Sequence, residues 1–374
     1  MKQFQVCKAF IASLVIELTN IELLTNSLCL KHNSGFDHPE RPSRIKNIIN
    51  SYKKESSLIQ EYNLTTNELK NDEKLFDLIT QVHSKYLINQ LESSQKKNQT
   101  FFNFDCIANK HTYFAALSSA KLTSIAAELS TVNKSNFAVI RPPGHHATYS
   151  DMRGFCYINN IAVATTNLIS KRKKVAIIDF DYHYGNGTAN IFYENPDVLY
   201  ISIHADPAIN YPNSGFFNEI GEGEGMGLNI CIPLSFGSGD NELVGSFIQI
   251  ILPLLVEFGP DVIGVSAGFD GYFNDPVGLG FLMYTNRGYN KVGQIIHDYS
   301  ETNRTPVFHV LEGGYDIFRL PKLIDNYILP WKKQRNKNFS TKSYYQLSGK
   351  EKLKKKERDM FLNIKKFLKP FWDI

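Results

Sequence analysis

The stretch KVAIIDFDYHYGNG, residues 174–187, opens as an unbroken apolar run and then breaks into acids, a histidine and glycines. The run "KVAIIDF" (174–180) is rich in apolar residues and does not alternate with polar ones. That pattern predicts a strand buried on both faces, as in a parallel sheet covered by helices above and below. Past it, Asp179, Asp181 and His183 stand at alternate positions, which an extended backbone turns to one side. Two carboxylates beside an imidazole repel each other unless a cation lies among them. The blander alternative is an aspartate pair capping the next helix.

Outward from this stretch the alternation continues. Strands are predicted at "NFAVI" (136–140), "DVLYISI" (197–203), "LNICIPL" (228–234), "DVIGVSA" (261–267) and "PVFHVL" (306–311). Helical patterns separate them at 156–170, 187–194, 241–258 and 287–301, and the segment 60–130 reads as mainly helical. The expected fold is α/β: a single large domain with an open, mainly parallel sheet and helices on both faces. In such sheets, sites form beyond the carboxyl ends of the strands. At those positions stand RPPGHHA (141–147), HADPAINYPNSG (204–215), GFDGYFNDP (268–276) and EGGYD (312–316), besides DYHYGNG (181–187). Polar residues and glycines gather on one edge, and a pocket is expected there.

Those loops carry a coherent chemistry. Asp270 arrives at the end of a strand, between glycines that permit close backbone approach. Two aspartates and one histidine make a three-ligand set with a position left for water, the pattern of catalytic zinc. His145 and His146 stand side by side after Pro142 and Pro143, which remove two backbone donors and forbid a helix, while Gly144 permits an unusual turn. Such a turn can aim both rings into one cavity. A metal-activated water needs a base, which one histidine can supply; the other can supply positive charge or a leaving-group proton. A phenol such as Tyr315, after Gly313 and Gly314, can donate to a developing oxyanion. The set suits hydrolysis of an amide or ester.

Bulk properties set the limits. With 374 residues and 43% apolar content the chain can bury a large core. It has no run of 18 apolar residues, so no membrane-spanning helix is expected. The start faintly resembles a signal peptide, but Glu17 interrupts the apolar run, and a helix or strand is the preferred reading. Five scattered cysteines without a C-x-x-C pair argue for a reducing, intracellular compartment and against a thiolate zinc site. Residues 331–358 hold 11 Lys and Arg against 2 Glu, a formal +9, which leaves about −5 elsewhere for a net +4. A solvated surface is the favoured reading of that segment; nucleic-acid contact or nuclear targeting is the minority one. The loop GEGEGMG (221–227) is no phosphate cradle, because Glu222 and Glu224 repel anions.

"HPERPSR", "VHSKYL", "RPPGHHA", "GFCYINNIAVA", "DFDYHYGNGT", "YPNSGF", "SAGFDGYFNDPVG" and "LEGGYD" follow one another in an order that resembles the histone deacetylase family, which includes the acetylpolyamine amidohydrolases. The likeness spans about residues 28–330, and "HPERP" and "GNGT" look more like its class II and bacterial branches. It implies the arginase-like α/β fold and zinc held by Asp181, His183 and Asp270. It implies that His146 is the general base and then acid, with His145 as electrostatic partner oriented by Asp179, and that Tyr315 polarises the acetyl carbonyl. Gly154, Phe155 and Tyr211 would line a tunnel for the acyl-lysine stem. A potassium ion would sit behind the zinc, on Asp179 and Ser202 side chains and the backbone carbonyls of Asp181, His183 and Ile203. A second cation near Phe192 and Val198 rests on less.

Several positions depart from the commonest family pattern. Tyr184 replaces the usual second histidine, and Asn186 stands where class I members have Asp, giving His146 a neutral partner. Val277 occupies a selectivity position where polyamine-preferring eukaryotic members have Glu, which favours acyl-lysine in protein. Asp105 is a candidate for the rim acid that grips substrate backbone. The resemblance thus implies a zinc-dependent deacetylase of N6-acetyl-lysine in proteins, histones among the candidate substrates, with an acetylpolyamine or other small amide as alternative. An arginase-type ureohydrolase wants two manganese ions and more ligands, and a non-catalytic acyl-lysine binder would lack a ligand or Tyr315. The plan expected is an extension at 1–27, a catalytic domain at 28–330, the basic segment at 331–358 and a docked C-terminal helix at 359–374.

Overall fold

The structure, a computed structural model, describes residues 20–53, 55, 57–332 and 353–374. Its strands, numbered in chain order, are β1 (Ile21–Thr25), β2 (Ile59–Glu61), β3 (Gln99–Phe101), β4 (Ile107–Asn109), β5 (Ser135–Ala138), β6 (Val175–Asp179), β7 (Val198–Ala205), β8 (Asn229–Leu234), β9 (Val262–Ala267) and β10 (Val307–Leu311). Eight of them form one sheet in the order β2-β1-β5-β10-β9-β6-β7-β8, and every pairing is parallel. β3 and β4 make a separate antiparallel hairpin.

Every residue of β6, β7, β9 and β10 is buried, which is why these runs carry no polar alternation. Successive residues feed two cores. Val175 and Ile177 of β6 pack into one with Leu117 of the helix Thr112–Leu129 and Ile161 of the helix Asn160–Ile169. Ala176 and Ile178 face the other, with Leu243, Ile295 and Ile324 from the helices Asp240–Phe258, Asn286–Asn303 and Leu320–Lys332. Asp240–Phe258 is long and apolar enough to cross a bilayer by length and composition, but 72% of that window is buried inside the protein. It ends at Gly259, whose φ of +61° closes the last turn in the left-handed conformation that glycine adopts without strain.

The structure moves several expected boundaries. β1 lies inside the stretch read as an extension, pairing with β2 and β5; the sheet therefore begins before residue 28. The helix expected from 156 starts at Asn160, because the Asn159 side chain accepts from Ala162 N at 3.0 Å and caps it. The segment 60–130 is helical in four pieces but is interrupted by β3 and β4. The C-terminal helix runs over Lys355–Leu368, starting within the basic segment, and buries Phe361, Ile364 and Leu368. Its Glu357 is buried and accepts from the hydroxyls of Ser235 and Ser238. The expected N-terminal helix or strand at 1–19 and the basic residues 333–352 lie outside the described residues.

One buried cluster ties the amino-terminal part to the sheet edge. Glu40, after β1, faces Arg141 in two contacts, Nε to Oε1 at 2.7 Å and Nη2 to Oε2 at 2.6 Å. Its Oε1 also accepts from Arg44 Nη1 at 3.2 Å. Arg44 in turn donates to the carbonyls of Glu312 and Gly314 at 2.5 and 2.7 Å. Burial alone would raise the Glu40 carboxyl, but Arg141 and His32 hold it well below the usual range. Glu40→Gln is expected to cost about 3–5 kcal/mol near neutral pH, because it leaves buried guanidinium charge uncompensated. The Glu40 contribution is complete above its unfolded pKa of about 4.3 and is lost on further acidification. Denaturant unfolding at about pH 7 and about pH 3 tests this: the gap between wild type and variant narrows at the lower pH.

Candidate active site

The parallel register brings the loops after β5, β6, β7, β9 and β10 to one edge, with Asp179 level with Ser202 and Ser266. Just past β6 and β9, the donor atoms of Asp181, His183 and Asp270 lie within 4.8 Å of one another. His183 Nδ1 is 3.3 Å from Asp181 Oδ1 and 3.2 Å from Asp270 Oδ2. The remaining carboxylate oxygens are fixed by backbone: Gly313 N donates to Asp181 Oδ2 at 2.7 Å and Tyr182 N to Asp270 Oδ1 at 3.0 Å. A Cβ at Gly313 would stand 2.4 Å from Asp270 Oδ2, so any larger residue there would invade the cluster.

Burial disfavours a charge on His183, but Asp181 and Asp270 outweigh that and push its imidazole up to about 9. Asp270 Oδ2 is buried without a hydrogen bond, and burial followed by the Asp181 charge pushes the Asp270 carboxyl up to about 7. Fixed oxygens and one imidazole nitrogen gathered within 4.8 Å of one another fit a small divalent cation with mixed N/O preference.

His145 and His146 both come up to this cluster, His145 Nε2 3.8 Å from Asp181 Oδ1 and the His146 ring 5.7 Å from that of His183, with their own ring centroids 4.0 Å apart. Glu312 shapes the turn by accepting from Gly144 N at 2.7 Å and His145 N at 3.2 Å. His145 Nδ1 lies 3.0 Å from Asp179 Oδ2. Burial disfavours its charge, but Asp181 and Asp179 outweigh that and push its pKa up to about 10. His146 Nδ1 lies 2.7 Å from Asn186 Oδ1. Burial, then the His145 and His183 charges, hold it well below the usual histidine range. Since Asn186 Oδ1 only accepts, Nδ1 of His146 carries the proton and Nε2 keeps its lone pair.

The residues expected to line a tunnel lie beside His146 and Tyr315. Gly154 has φ +50°, and a Cβ there would come 2.3 Å from His146 Cδ2. Phe155 packs edge-on to Tyr315 at 5.7 Å, and Tyr211 to His146 at 5.0 Å. Tyr315 is buried beside Arg44, whose guanidinium lies 4.8 Å above the ring. Asp275 accepts from the backbone N of Tyr315 at 2.6 Å and of Val277 at 2.9 Å, which joins those two positions. Asp105 sits on the β3–β4 hairpin, and its charge is among the causes that raise the Tyr211 phenol, after burial and Cys156.

Of the residues expected to hold potassium, Asp179 of β6 stands across from Ser202 of β7, whose hydroxyl is 2.9 Å from His204 Nδ1. Phe192 ends the helix Asn186–Phe192 and Val198 starts β7, so both flank one connection. Sequence reasoning missed Glu40, Arg44, Arg141, Glu312, Asp275 and Tyr200, whose hydroxyl donates to Asp179 Oδ2 at 2.9 Å. All but Tyr200 lie in the quoted family motifs, which was the signal available, together with the i,i+4 spacing of Glu40 and Arg44.

A family model described as "Histone deacetylase domain" matches residues 38–329. The chain belongs to the histone deacetylase family. It is 33% identical over 321 residues to histone deacetylase 5 of Arabidopsis thaliana, covering 81% of this chain and 47% of that one. A probable deacetylase of Archaeoglobus fulgidus is 35% identical over 293 residues, 77% of this chain and 79% of its own. An acetylpolyamine amidohydrolase of Burkholderia pseudomallei is 39% identical over 217 residues, 57% of this chain and 61% of its own. The chain spans about half the length of the two plant relatives it matches. The crystal structure of the HDA15 HD domain superposes with a TM-score of 0.80 at 28% identity, covering 95% of both chains. The sheet and its helices are therefore those of the histone deacetylase fold.

In this histone deacetylase family member, Asp181→Ala or Asp270→Ala is expected to lower zinc affinity steeply, because two ligands hold far less than three. Metal analysis after gel filtration decides it: one zinc per wild-type chain and little in either variant. Full occupancy in the variants would place the metal elsewhere.

Proposed function

We propose that the protein is a zinc-dependent deacetylase of N6-acetyl-lysine in proteins, with histones among its candidate substrates. The observation that carries this reading is the pair of adjacent histidines with opposite partners, Asp179 at 3.0 Å and Asn186 at 2.7 Å, beside the Asp181–His183–Asp270 cluster. Zinc held by those three residues would act as a Lewis acid on the amide and on water. Nε2 of His146 takes the proton of the attacking water and passes it to the departing lysine amine. His145, kept cationic by Asp179 and Asp181, stabilises negative charge developing beside it. The Tyr315 hydroxyl donates to the oxyanion. Gly154, Phe155 and Tyr211 enclose the lysine stem and keep water off it. A potassium ion on Asp179, Ser202 and the carbonyls of Asp181, His183 and Ile203 would steady the loop that presents two of the zinc ligands.

Val277 supports protein over polyamine, since a branched aliphatic side chain offers nothing to a second ammonium. The alternative of a small acetylated amine is favoured by one finding, the similarity to an acetylpolyamine amidohydrolase. The deciding assay gives the zinc-loaded protein acetyl-lysine peptides and acetylpolyamines side by side. Peptides are expected to have the higher kcat/KM, and Tyr315→Phe to lower kcat on them by about 100-fold or more while binding persists. Failure to turn over any acetyl-lysine peptide would overturn the proposal.

The histidine partners give a second expectation. A general base works only while unprotonated, so the pKa of His146 sets the acidic limb of kcat/KM. Burial and neighbouring positive charge already lower that pKa. Asn186→Asp places a carboxylate on Nδ1, favours the imidazolium, and should move the acidic limb up by roughly one unit. An unmoved limb with zinc content intact would show that residue 186 does not address His146 or that His146 is not the base.

A further inference from the structure

We infer that the pocket mouth is an apolar collar for the side chains flanking the acyl-lysine of an extended peptide, so that preferred substrates carry aromatic or aliphatic residues beside that lysine. The inference deepens the proposed function and rests on it.

The loops around the mouth form a closed ring of contacts. Phe155 packs on Tyr315, and Asp275 ties Tyr315 to Val277. Gly278 lies against Tyr182, whose hydroxyl donates to Asn210 at 2.6 Å, next to Tyr211. Tyr211 packs on His146, and His146 abuts Gly154, which returns the ring to Phe155. Outside it, His38 packs on Phe155 at 4.6 Å, and the Asn103 amide donates to Met152 O at 2.6 Å.

Four loops attached to that ring hold a large apolar side chain out in solvent. Phe36 is 92% exposed, Phe104 94%, Ile209 72% and Leu279 83%. Each lies within two residues of a member of the ring or of a residue anchored to it, respectively His38, Asn103, Tyr211 and Val277. Single exposed apolar residues need no explanation, but four on the loops tied into one ring are apolar surface that burial against a ligand would stabilise. Leu279 adds an independent sign. Its φ of +49° is a conformation that side chains other than glycine rarely adopt, and such outliers concentrate at functional positions.

Charge on these loops fits a peptide better than a polycation. Asp275 is committed to backbone N–H groups of Tyr315, Asp316 and Val277, and Asp151 is paired with Arg153 at 3.3 Å. Asp37 and Asp105 remain, each directly beside an exposed phenylalanine. An acid next to an aromatic ring can take a backbone N–H while the ring covers the neighbouring side chain.

The test is a set of acetyl-lysine peptides with Phe or Leu, Ser, or Asp on each side of the lysine, together with an acetylpolyamine. Zinc-loaded full-length protein should give roughly tenfold higher kcat/KM for apolar-flanked peptides than for Ser-flanked ones, mostly through KM. In a Phe36→Ser, Phe104→Ser double variant the ratio between those peptides should fall to within about twofold. A general structural defect would lower both peptides together and leave the ratio intact. Equal rates across the wild-type set, a ratio that survives in the double variant, or an acetylpolyamine preferred over every peptide would overturn the collar. Loss of all turnover on acyl-lysine would overturn the proposed function itself, which is a different result.

Discussion

One carboxylate closed off from water, Glu40, faces two guanidinium groups that each hold a different part of the pocket. Arg141 leads directly into Pro142, Pro143, Gly144 and the two histidines, and its other donors go to the carbonyls of Cys29 and His32. Arg44 grips the carbonyls of Glu312 and Gly314, one on either side of Gly313 and immediately before Tyr315. The histidine loop and the tyrosine loop are thus held at a set distance by charge. Such an arrangement is costly to desolvate, and its return is geometric: few other conformations satisfy all three groups at once. The position of the Tyr315 hydroxyl relative to His146 depends on it.

The same economy of partners makes two identical neighbours unlike. His145 and His146 share a turn and come up to one cluster, yet a carboxylate on one and an amide on the other drive their proton affinities in opposite directions. Once one ring is cationic it lowers the other further, so the split reinforces itself. Tyr200 and Asp181 N both donate to Asp179, which keeps that carboxylate aligned toward His145. The opposite proton affinities of the two rings therefore arise in the residues behind them.

What the sequence disclosed depended on whether a signal was local. β6, β7, β9 and β10 were legible because burial on both faces demands unbroken apolar runs, and each run stops where the sheet stops. Asp181, His183 and Asp270 were legible because acids between such strands and glycines have little structural use. β2 was not: Ile-Gln-Glu is an edge strand with mostly exposed side chains and no pattern to read. β1 was obscured by Glu22 and by the apolar run before it. Glu40 and Arg141 are separated by 101 positions, so nothing in spacing announces the pair. Tyr200 looks like any aromatic residue of a buried strand, and only the fold shows its hydroxyl against Asp179.

The strand order has a consequence for how the chain comes off the ribosome. β10 is the last strand made, yet it lies between β5 and β9. Until it emerges, β2-β1-β5 and β9-β6-β7-β8 are two separate sheets, each with a bare edge of unpaired backbone groups at the seam. Such edges invite pairing with other chains during synthesis. β10 closes both edges at once and, in the residues that follow it, delivers Glu312, Gly313 and Tyr315. Closure of the sheet and assembly of the candidate site thus depend on the same strand, so a chain truncated before residue 307 would lack both.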